Sequence, residues 1–331
     1  MVLPPRRLLL AGEAIVDLVM RVPALPPRGG DLLADSSAVA VGGGFNVMAA
    51  AARQGMPVAY AGGHGTGPWG DLVRAALAIE GIEVLRDPDP RTDTGFDVAL
   101  VEADGERTFV TSLGAETHPG GWEQISVRPG DAVYVSGYGL VPPPRALPAG
   151  GCPAGSAPDD GLGGWAADGL GGWAAALPDG VVLFADPGPL VADIPAATLD
   201  AVLARCDWWS CNGREAVLLT GSDDPVTAAR QLRGRVARSA GVIVRLGRDG
   251  CVISAANDLD PVLVPAPSVD VVDTTGAGDA HAGAFLAGLA DGLDPRTAAG
   301  RANAAAAVAV TRDGPATAPS RRELDMFLAA R

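Results

Sequence analysis

Short apolar segments that alternate with helical patterns constrain the fold of this chain most strongly. "RLLLAGEAIVDLVM" at 7–20 predicts a first strand and its exit, and "FNVMAAAARQG" at 45–55 predicts a helix that ends at Gly55. "PVAYAGG" at 57–63 then predicts a strand, and "DLVRAALAIEG" at 71–81 a second helix. Because neighbouring parallel strands need a crossover connection, this alternation predicts a mostly parallel sheet covered by helices on both faces.

Two later stretches depart from this alternation. "TGFDVALVEADGERTFVTS" at 94–112 has two alternating strands around an Asp-Gly turn, which predicts an antiparallel hairpin suited to a lid. The octapeptide "DGLGGWAA" occurs at 160–167 and again at 168–175. Two copies of eight residues are too few and too short for a repeat fold, so they predict an exposed loop or a loose helix.

The charge and the lysine content exclude several classes of function. The chain has 331 residues and a formal net charge of -14 at pH 7, which argues against nucleic-acid and anionic-membrane surfaces. Hydrophobic residues make up 48% and charged residues 19%, as in a folded globular protein. The chain contains no lysine. A Walker A loop, a protein-kinase phosphate lysine and a Schiff-base mechanism are therefore excluded.

The cysteines and histidines are scattered along the chain. They have neither C-x-x-C nor H-E-x-x-H spacing, which predicts reduced thiols in a cytoplasm and no structural zinc. The apolar run near the amino terminus is interrupted by Glu13 and Asp17, so it predicts a buried strand and not an export signal or a membrane span. The cysteines are Cys152, Cys206, Cys211 and Cys251, and the histidines are His64, His118 and His281.

Three glycine-containing segments each allow a functional and a structural interpretation. Gly65, Gly67 and Gly70 have the G-x-G-x-x-G spacing of a dinucleotide site, or form a glycine-rich turn. Asn212 and Glu215 in "SCNGREAV" form a helix cap, or face a phosphate tail and order the water around Mg²⁺. "VRLGRDGCVI" makes a plain hairpin turn, or lets the backbone approach a flat ligand with a cation nearby; it contains Arg245, Gly247 and Gly250.

"DTTGAGDAHAGAFLAGL" at 273–289 is the most specific segment. Gly276, Ala277 and Gly278 let successive backbone N–H groups converge, and the helix that follows adds its N-terminal dipole. Such a concavity can hold an anion without lysine. Asp279 falls in the first turn of that helix, where the dipole favours the ionised carboxylate. Because the same field weakens the carboxylate as a base, we expect Asp279 to orient a hydroxyl and take its proton late. A plain helix start with a favourable acidic residue is the alternative.

This segment, together with "SCNGREA", "VRLGRDG" and "RANAAAAVAVTRDG", resembles the PfkB, or ribokinase-like, family of carbohydrate kinases. The resemblance runs from Gly12 to about Pro319. It implies a three-layer α/β/α core with a mostly parallel central sheet and a small β-strand lid, ATP as donor, Mg²⁺, often K⁺, and phosphorylation of a primary hydroxyl. It divides the chain into a large domain at 1–16, 40–91 and 114–331 and a lid at 17–39 and 92–113. Lid-to-lid dimers are common in similar proteins.

The resemblance also implies roles for particular residues. Asp279 matches the catalytic base, and Gly276, Ala277 and Gly278 match the anion hole. The nucleotide and Mg²⁺ positions are Asn212, Glu215, Arg245, Gly247, Gly250 and Asn303. The monovalent-cation positions, which act mostly through backbone carbonyls, are Asp273, Thr275, Ala309, Arg312 and Gly314. Ala318 stands where some relatives place a serine hydroxyl as a further ligand.

For the acceptor, the resemblance assigns Asp17, Gly42, Gly43 and Asn46 to binding of sugar hydroxyls. Gly43 stands where ribokinase-like members have a lysine and Val41 where they have a glycine, so the resemblance does not extend to ribose specificity. Phe96 and Phe109 in the hairpin keep a nucleoside kinase as an alternative. A noncatalytic sugar- or nucleotide-binding regulator is the alternative from another class.

Overall fold

The structure is a computed structural model that describes residues 4–103, 105–117, 125–142, 169–237, 239–256 and 258–331. The strands are β1 (Arg7–Leu10), β2 (Ala14–Arg21), β3 (Ser36–Gly43), β4 (Val58–Tyr60), β5 (Glu83–Val84), β6 (Phe96–Val101), β7 (Arg107–Ser112), β8 (Asp131–Ser136), β9 (Val182–Asp186), β10 (Trp208–Asn212), β11 (Gly241–Arg245), β12 (Cys251–Ser254) and β13 (Val262–Val264). The helices are α1 (Phe45–Arg53), α2 (Pro68–Ile79), α3 (Leu170–Ala175), α4 (Ala196–Arg205), α5 (Gly213–Thr220), α6 (Pro225–Arg233), α7 (Ala277–Ala290), α8 (Pro295–Ala309) and α9 (Arg321–Ala329).

The main sheet has the strand order β13-β12-β11-β10-β9-β8-β1-β4-β5. The pairings from β11 through β5 are all parallel, and β12 pairs antiparallel with both of its neighbours. The side chains of β1 alternate between the two faces. Leu8 and Leu10 join a core with α1, α7 and α8, whereas Leu9 joins a core with α3, α4, α5 and α6. The predicted three-layer arrangement is therefore confirmed.

A second sheet, with the order β3-β2-β6-β7, forms the lid. Its hairpin of β6 and β7 is the one predicted from the Asp-Gly turn. The prediction of one strand at 7–20 was wrong, because this segment contributes β1 to the main sheet and β2 to the lid. The chain leaves the main sheet at Gly12, and the next residue, Glu13, accepts a backbone hydrogen bond from Gly44 through its carbonyl. The lid pairing extends over 14–43, beyond the predicted 17–39; the division into domains stays a prediction.

The remaining predictions from the sequence fall partly outside the described residues. Outside the described residues lie the first octapeptide copy, Cys152 and His118. Residues 170–175 of the second copy form α3, in which Leu170 is buried. Cys206, Cys211 and Cys251 are free and buried. Among the helices that the structure describes, none has the length and apolar character needed to cross a membrane.

Candidate active site

One cavity of about 580 Å³ lies between the lid sheet and the carboxyl ends of the main-sheet strands. It brings together seven carboxylate side chains, an asparagine, the glycines before α7 and one arginine. The carboxylates are Glu13, Asp17, Asp97, Glu116, Asp186, Glu215 and Asp279. Among the described residues that line the cavity, Arg245 is the one cationic side chain.

The first turn of α7 faces this cavity. Gly276 is the N-cap residue with φ 70°, a left-handed conformation that glycine adopts without strain. The Ala277 amide donates to the carbonyl oxygen of Thr274 at 3.3 Å, whereas the backbone amides of Gly278 and Asp279 have no acceptor four residues earlier within the helix, since the helix begins at Ala277. The Gly278 and Asp279 N–H groups can therefore hold an anionic oxygen.

Asp279 is held beside the acceptor segment by the packing of α7 on α1. A Cβ atom built at Gly283 would lie 2.5 Å from the carbonyl oxygen of Val47, so only glycine allows the two helices to approach this closely. At the end of that contact, Asn46 Nδ2 donates to Asp279 Oδ2 at 3.1 Å. The Oδ1 atom of Asn46 is buried without a hydrogen-bond partner, so it can still accept a hydrogen bond from a hydroxyl group.

The sequence predicted that the helix dipole would lower the pKa of Asp279, and the direction of the shift is the opposite. Burial, together with the nearby Asp186 carboxylate, raises the pKa of Asp279 to about 6. The hydrogen bond from Asn46 and the charge of Arg245 oppose these effects without cancelling them. The helix dipole at one end of α7 is thus weaker than the loss of hydration. Asp279 is consequently a better proton acceptor than the sequence indicated.

Asp17 lies on the lid side of the same cavity. It is 8% exposed and lies in the middle of β2. A Cβ atom at Gly42 would collide with the Asp17 carboxylate, which explains the glycine there. Burial, with the charges of Asp97 and Asp279, raises the pKa of Asp17 to about 7. Gly43 lines the cavity with a φ of 61°, and a Cβ atom there would contact Glu13 and Ile15.

Arg245 lies at the end of β11 and is bound within the protein. Its guanidinium forms an ion pair with Asp186 and donates to Ser210 Oγ at 2.6 Å. Its Nη2 atom lies 4.0 Å from Glu215 Oε2. A Cβ atom at Gly278 would lie 3.5 Å from the guanidinium carbon, so the cation borders the first turn of α7.

Asn212 and Glu215 form the capping box of α5. Asn212 Oδ1 accepts from the Glu215 amide at 2.9 Å, and Glu215 Oε2 accepts from the Asn212 amide at 2.8 Å. The helix cap, which was the structural alternative predicted from the sequence, is therefore present. Glu215 also lines the cavity, whereas Asn212 is not among the described residues that line it; the phosphate and Mg²⁺ role of this pair stays a prediction.

The other predicted nucleotide residues are not brought into the cavity. Gly247 and Gly250 form the turn between β11 and β12 with φ 59° and 95°. Asn303 is buried and donates to the carbonyl of Val264 at 2.9 Å. None of the three is among the described residues that line the cavity.

The predicted cation positions form two adjacent segments. The Asp273 carboxylate accepts from the amides of Thr275 at 2.9 Å and Gly314 at 3.1 Å. Although burial opposes the change, these bonds and the Arg107 charge hold the pKa of Asp273 below its usual range. Of the two remaining predicted positions, Ala309 already accepts from Thr317 Oγ1 through its carbonyl, and Arg312 donates to the Thr317 carbonyl.

The G-x-G-x-x-G segment is structural. Asp93 accepts from the amides of Trp69 at 3.0 Å and Gly70 at 2.9 Å, and so occupies the N-terminus of α2. Cβ atoms at Gly65 and Gly67 would collide with the segment that contains Asp93. The place where a pyrophosphate would bind is therefore filled by the protein's own carboxylate.

The sequence interpretation of the site missed four carboxylates of the cavity, which are Glu13, Asp97, Glu116 and Asp186. Asp186 follows a predicted buried strand, and the rule that ligands bind at the carboxyl ends of parallel strands could have indicated it. Glu13 accepts from Ser136 Oγ at 3.0–3.1 Å, and burial raises its pKa to about 7. Asp97 lies on β6 in a hairpin already predicted to be the lid. The alternation of that hairpin could have placed it on the inner face.

Two kinds of comparison identify the protein's relatives. A family model described as pfkB family carbohydrate kinase matches residues 6–150 and 182–321. The chain is 35% identical over 326 residues to the uncharacterized sugar kinase YegV of Escherichia coli (strain K12). The aligned region covers 96% of this chain and 92% of that protein. It is 27% identical over 320 residues to ribokinase of Arabidopsis thaliana, covering 94% and 77%.

Solved structures have the same fold. Ribokinase from Thermotoga maritima gives a TM-score of 0.77 at 22% identity and covers 99% of this chain and 100% of that chain. Arabidopsis thaliana ribokinase complexed with ribose and ATP gives 0.72 at 22% identity, covering 98% and 99%. Since the family model and the curated relatives span nearly the whole sequence, this chain belongs to the pfkB family of carbohydrate kinases, which transfer a phosphoryl group to an alcohol acceptor.

Proposed function

We propose that this protein transfers the γ-phosphoryl group of ATP to a primary hydroxyl of a sugar. The observation that carries the proposal is the contact of Asn46 with Asp279, which joins the acceptor segment to the helix N-terminus within one cavity. ATP as donor is supported by the Arabidopsis relative, whose structure is a complex with ribose and ATP.

The residues divide into a proton acceptor and a site for the transferred charge. The Asp279 carboxylate orients the hydroxyl and takes its proton, while the backbone amides of Gly278 and Asp279 bind oxygens of the phosphoryl group. Phosphoryl transfer needs this positioning and charge neutralisation more than covalent chemistry by the protein. Arg245 adds positive charge on the nucleotide side.

The carboxylates of the nucleotide side fit Mg²⁺ held mainly through ATP and water. Among the described residues, no group of three or more His, Cys, Asp or Glu side chains could hold a metal ion alone. Both carboxylate oxygens of Glu215 accept bonds from Asn212, so Glu215 binds a coordinated water more readily than the ion itself. When bound, Mg²⁺ neutralises charge on the β- and γ-phosphates. K⁺ at the loops around Asp273 and Gly314 stays a prediction.

A nucleoside kinase is the second candidate, and one observation favours it. Phe109 lines the cavity from β7 and is 52% exposed, so an apolar ring is available to a base. Phe96 instead packs on Trp69, with ring centroids 5.7 Å apart. A dimer through the lid also stays a prediction, supported by the exposed apolar side chains Val39 and Val110.

Measurement of ADP release with a panel of acceptors tests the proposed function. The panel contains pentoses, hexoses, ketoses, sugar acids, sugar phosphates and nucleosides, each with and without K⁺. We expect sugar-dependent ADP release that EDTA abolishes. Absence of ADP release across the panel, from folded protein that binds ATP, would favour the noncatalytic regulator.

The ionisation of Asp279 predicts an acid limb in the rate of transfer. A carboxylate whose pKa is raised to about 6 becomes ionised, and able to accept a proton, only as the pH rises through that value. The groups that face or interact electrostatically with it are Asn46, Asp186, Arg245, Asp17 and Glu13. We expect the single-turnover rate at saturating sugar to fall about tenfold per pH unit below pH 6. A rate that is constant between pH 5 and 8 would contradict this assignment.

The lid is tied to the main domain by an ion pair between Arg107 of β7 and Asp273. We expect Arg107→Ala to raise the KM for the sugar about threefold to tenfold and to increase ATP hydrolysis without sugar, because an open lid admits water. The matched control is Arg91→Ala, since Arg91 is 84% exposed and lies 3.7 Å from Asp89. Equal hydrolysis by both variants would show that the ion pair does not control closure.

A further inference from the structure

Asp97 is a buried carboxylate of the lid that has no role in the mechanism above. It is 8% exposed, it lines the cavity, and its Oδ1 atom is buried without a hydrogen-bond partner in the described structure. An unpaired buried carboxylate oxygen is costly unless a ligand supplies a donor. Asp97 is therefore placed to contact whatever enters the acceptor end of the cavity.

Asp97 and Asp17 occupy matching positions on neighbouring strands. They are register partners of the parallel β2 and β6, so both side chains point to the same face of the lid sheet. Thr111 is the partner of Asp97 on β7, and it also lines the cavity. The acceptor end thus presents two adjacent carboxylates from the lid.

No positive charge from the described residues balances this pair. The one cation of the lining, Arg245, is already bound to Asp186 and Ser210 on the nucleotide side. Glu13 and Asp279 add two more carboxylates to the acceptor end. A negatively charged acceptor would meet like charges in a poorly hydrated space, whereas hydroxyl groups would donate to these carboxylates.

We propose that Asp97 and Asp17 together select a sugar acceptor that carries no negative charge, and that Asp97 is a specificity-determining residue. This inference rests on the proposed function, since it assumes that the cavity holds the phosphoryl acceptor. It predicts that sugar acids and sugar phosphates with a free primary hydroxyl are rejected. It separates this chain from its 28% identical relative in Halopiger xanaduensis, an ATP-dependent ribose-1-phosphate kinase.

Matched pairs of acceptors test the inference by binding and by turnover. Each uncharged sugar or nucleoside is paired with an anionic form that keeps the primary hydroxyl, such as ribose with ribose 1-phosphate or glucose with gluconate. Thermal stabilisation is measured with a nonhydrolysable ATP analogue present, so that anions cannot occupy the nucleotide side. For every pair in which binding is detected, we expect the Kd of the uncharged member to be at least about 100-fold lower than the Kd of its anionic counterpart.

The Asp97→Asn variant separates charge selection from a structural role. We expect it to keep the thermal stability of the parent and to raise the KM for the uncharged acceptor, because an amide oxygen is a weaker acceptor than a carboxylate for the acceptor's hydroxyl groups. Its preference for the uncharged member should fall at least about tenfold, through KM. Asp35→Asn, which removes the same charge from an exposed position before β3, is the control and should keep the preference. An unchanged preference in Asp97→Asn would overturn the role of Asp97.

The two levels of the proposal fail differently. Phosphorylation of anionic and uncharged acceptors with equal kcat/KM would overturn the inference and leave the kinase function standing. Selective binding of uncharged sugars without ADP release would overturn the kinase function and support the inference. Absence of binding by every uncharged acceptor would overturn the inference.

Discussion

Replacing Asp279 by asparagine should lower kcat by about 10³-fold while the protein keeps its fold and its affinity for ATP. The asparagine has nearly the same shape and can still face Asn46, but it cannot accept the proton of the sugar hydroxyl. Because Asp279 is buried and its pKa is raised to about 6, removing its charge also removes a desolvation cost. We therefore expect the thermal stability at pH 8 to be equal to or above that of the parent.

Steady-state kinetics, ATP titration and thermal unfolding measure the three properties separately. Asp270→Asn is the matched control, because it changes the same chemical group at an exposed position in the loop that precedes α7. The control should keep kcat within about twofold. If Asp279→Asn turns over at near the parental rate, Asp279 is not the base, and the proton acceptor must be sought among the other carboxylates of the cavity.

The fold was predictable from the sequence because its signals are local. Apolar runs and helical periodicity indicated the strand around Tyr60 and the helices at 45–55 and 71–81. The structure has these helices as α1 (Phe45–Arg53) and α2 (Pro68–Ile79). The Asp-Gly turn at 104–105 indicated the lid hairpin. The division of 7–20 into strands of two sheets was missed, because a local apolar pattern does not reveal that the chain changes sheets at Gly12.

The site was predictable to the extent that single segments form it. The segment from Asp273 to Asp279 carries the left-handed glycine and the helix start in its own sequence. Its electrostatics were not predictable in the same way. The pKa of Asp279 depends on burial by the elements packed around it and on Asp186, which lies 93 positions earlier in the sequence.

Contacts between distant segments account for what the sequence did not predict. Arg245 was expected near the nucleotide, but its ion pair with Asp186 joins β11 to β9 across β10. Asp17 and Asp97 become neighbours only through the pairing of β2 with β6. No local spacing encodes either contact.

The Arg245 pair supports the second large prediction, which concerns stability and activity together. The side chains of Arg245 and Asp186 are 14% and 8% exposed. Arg245→Met removes the cation and leaves Asp186 buried without its partner, near Glu215 and Asp279. Breaking a buried ion pair in this way costs about 3–5 kcal/mol, so we expect the free energy of unfolding to fall by that amount at pH 8. Activity should fall at least about 100-fold, because the cavity loses its cation on the nucleotide side.

The double variant Arg245→Met, Asp186→Asn distinguishes the two effects. It removes both charges, so most of the lost stability should return, since a buried pair is worth little relative to neutral groups that pack in its place. Activity should not return, because the phosphates still lack the guanidinium. Denaturant unfolding and ADP release measure the two quantities, with Arg230→Met as the control for an exposed pair, Arg230 with Asp260, worth at most about 1 kcal/mol. Recovery of activity in the double variant would show that Arg245 only neutralises Asp186 and does not bind phosphate.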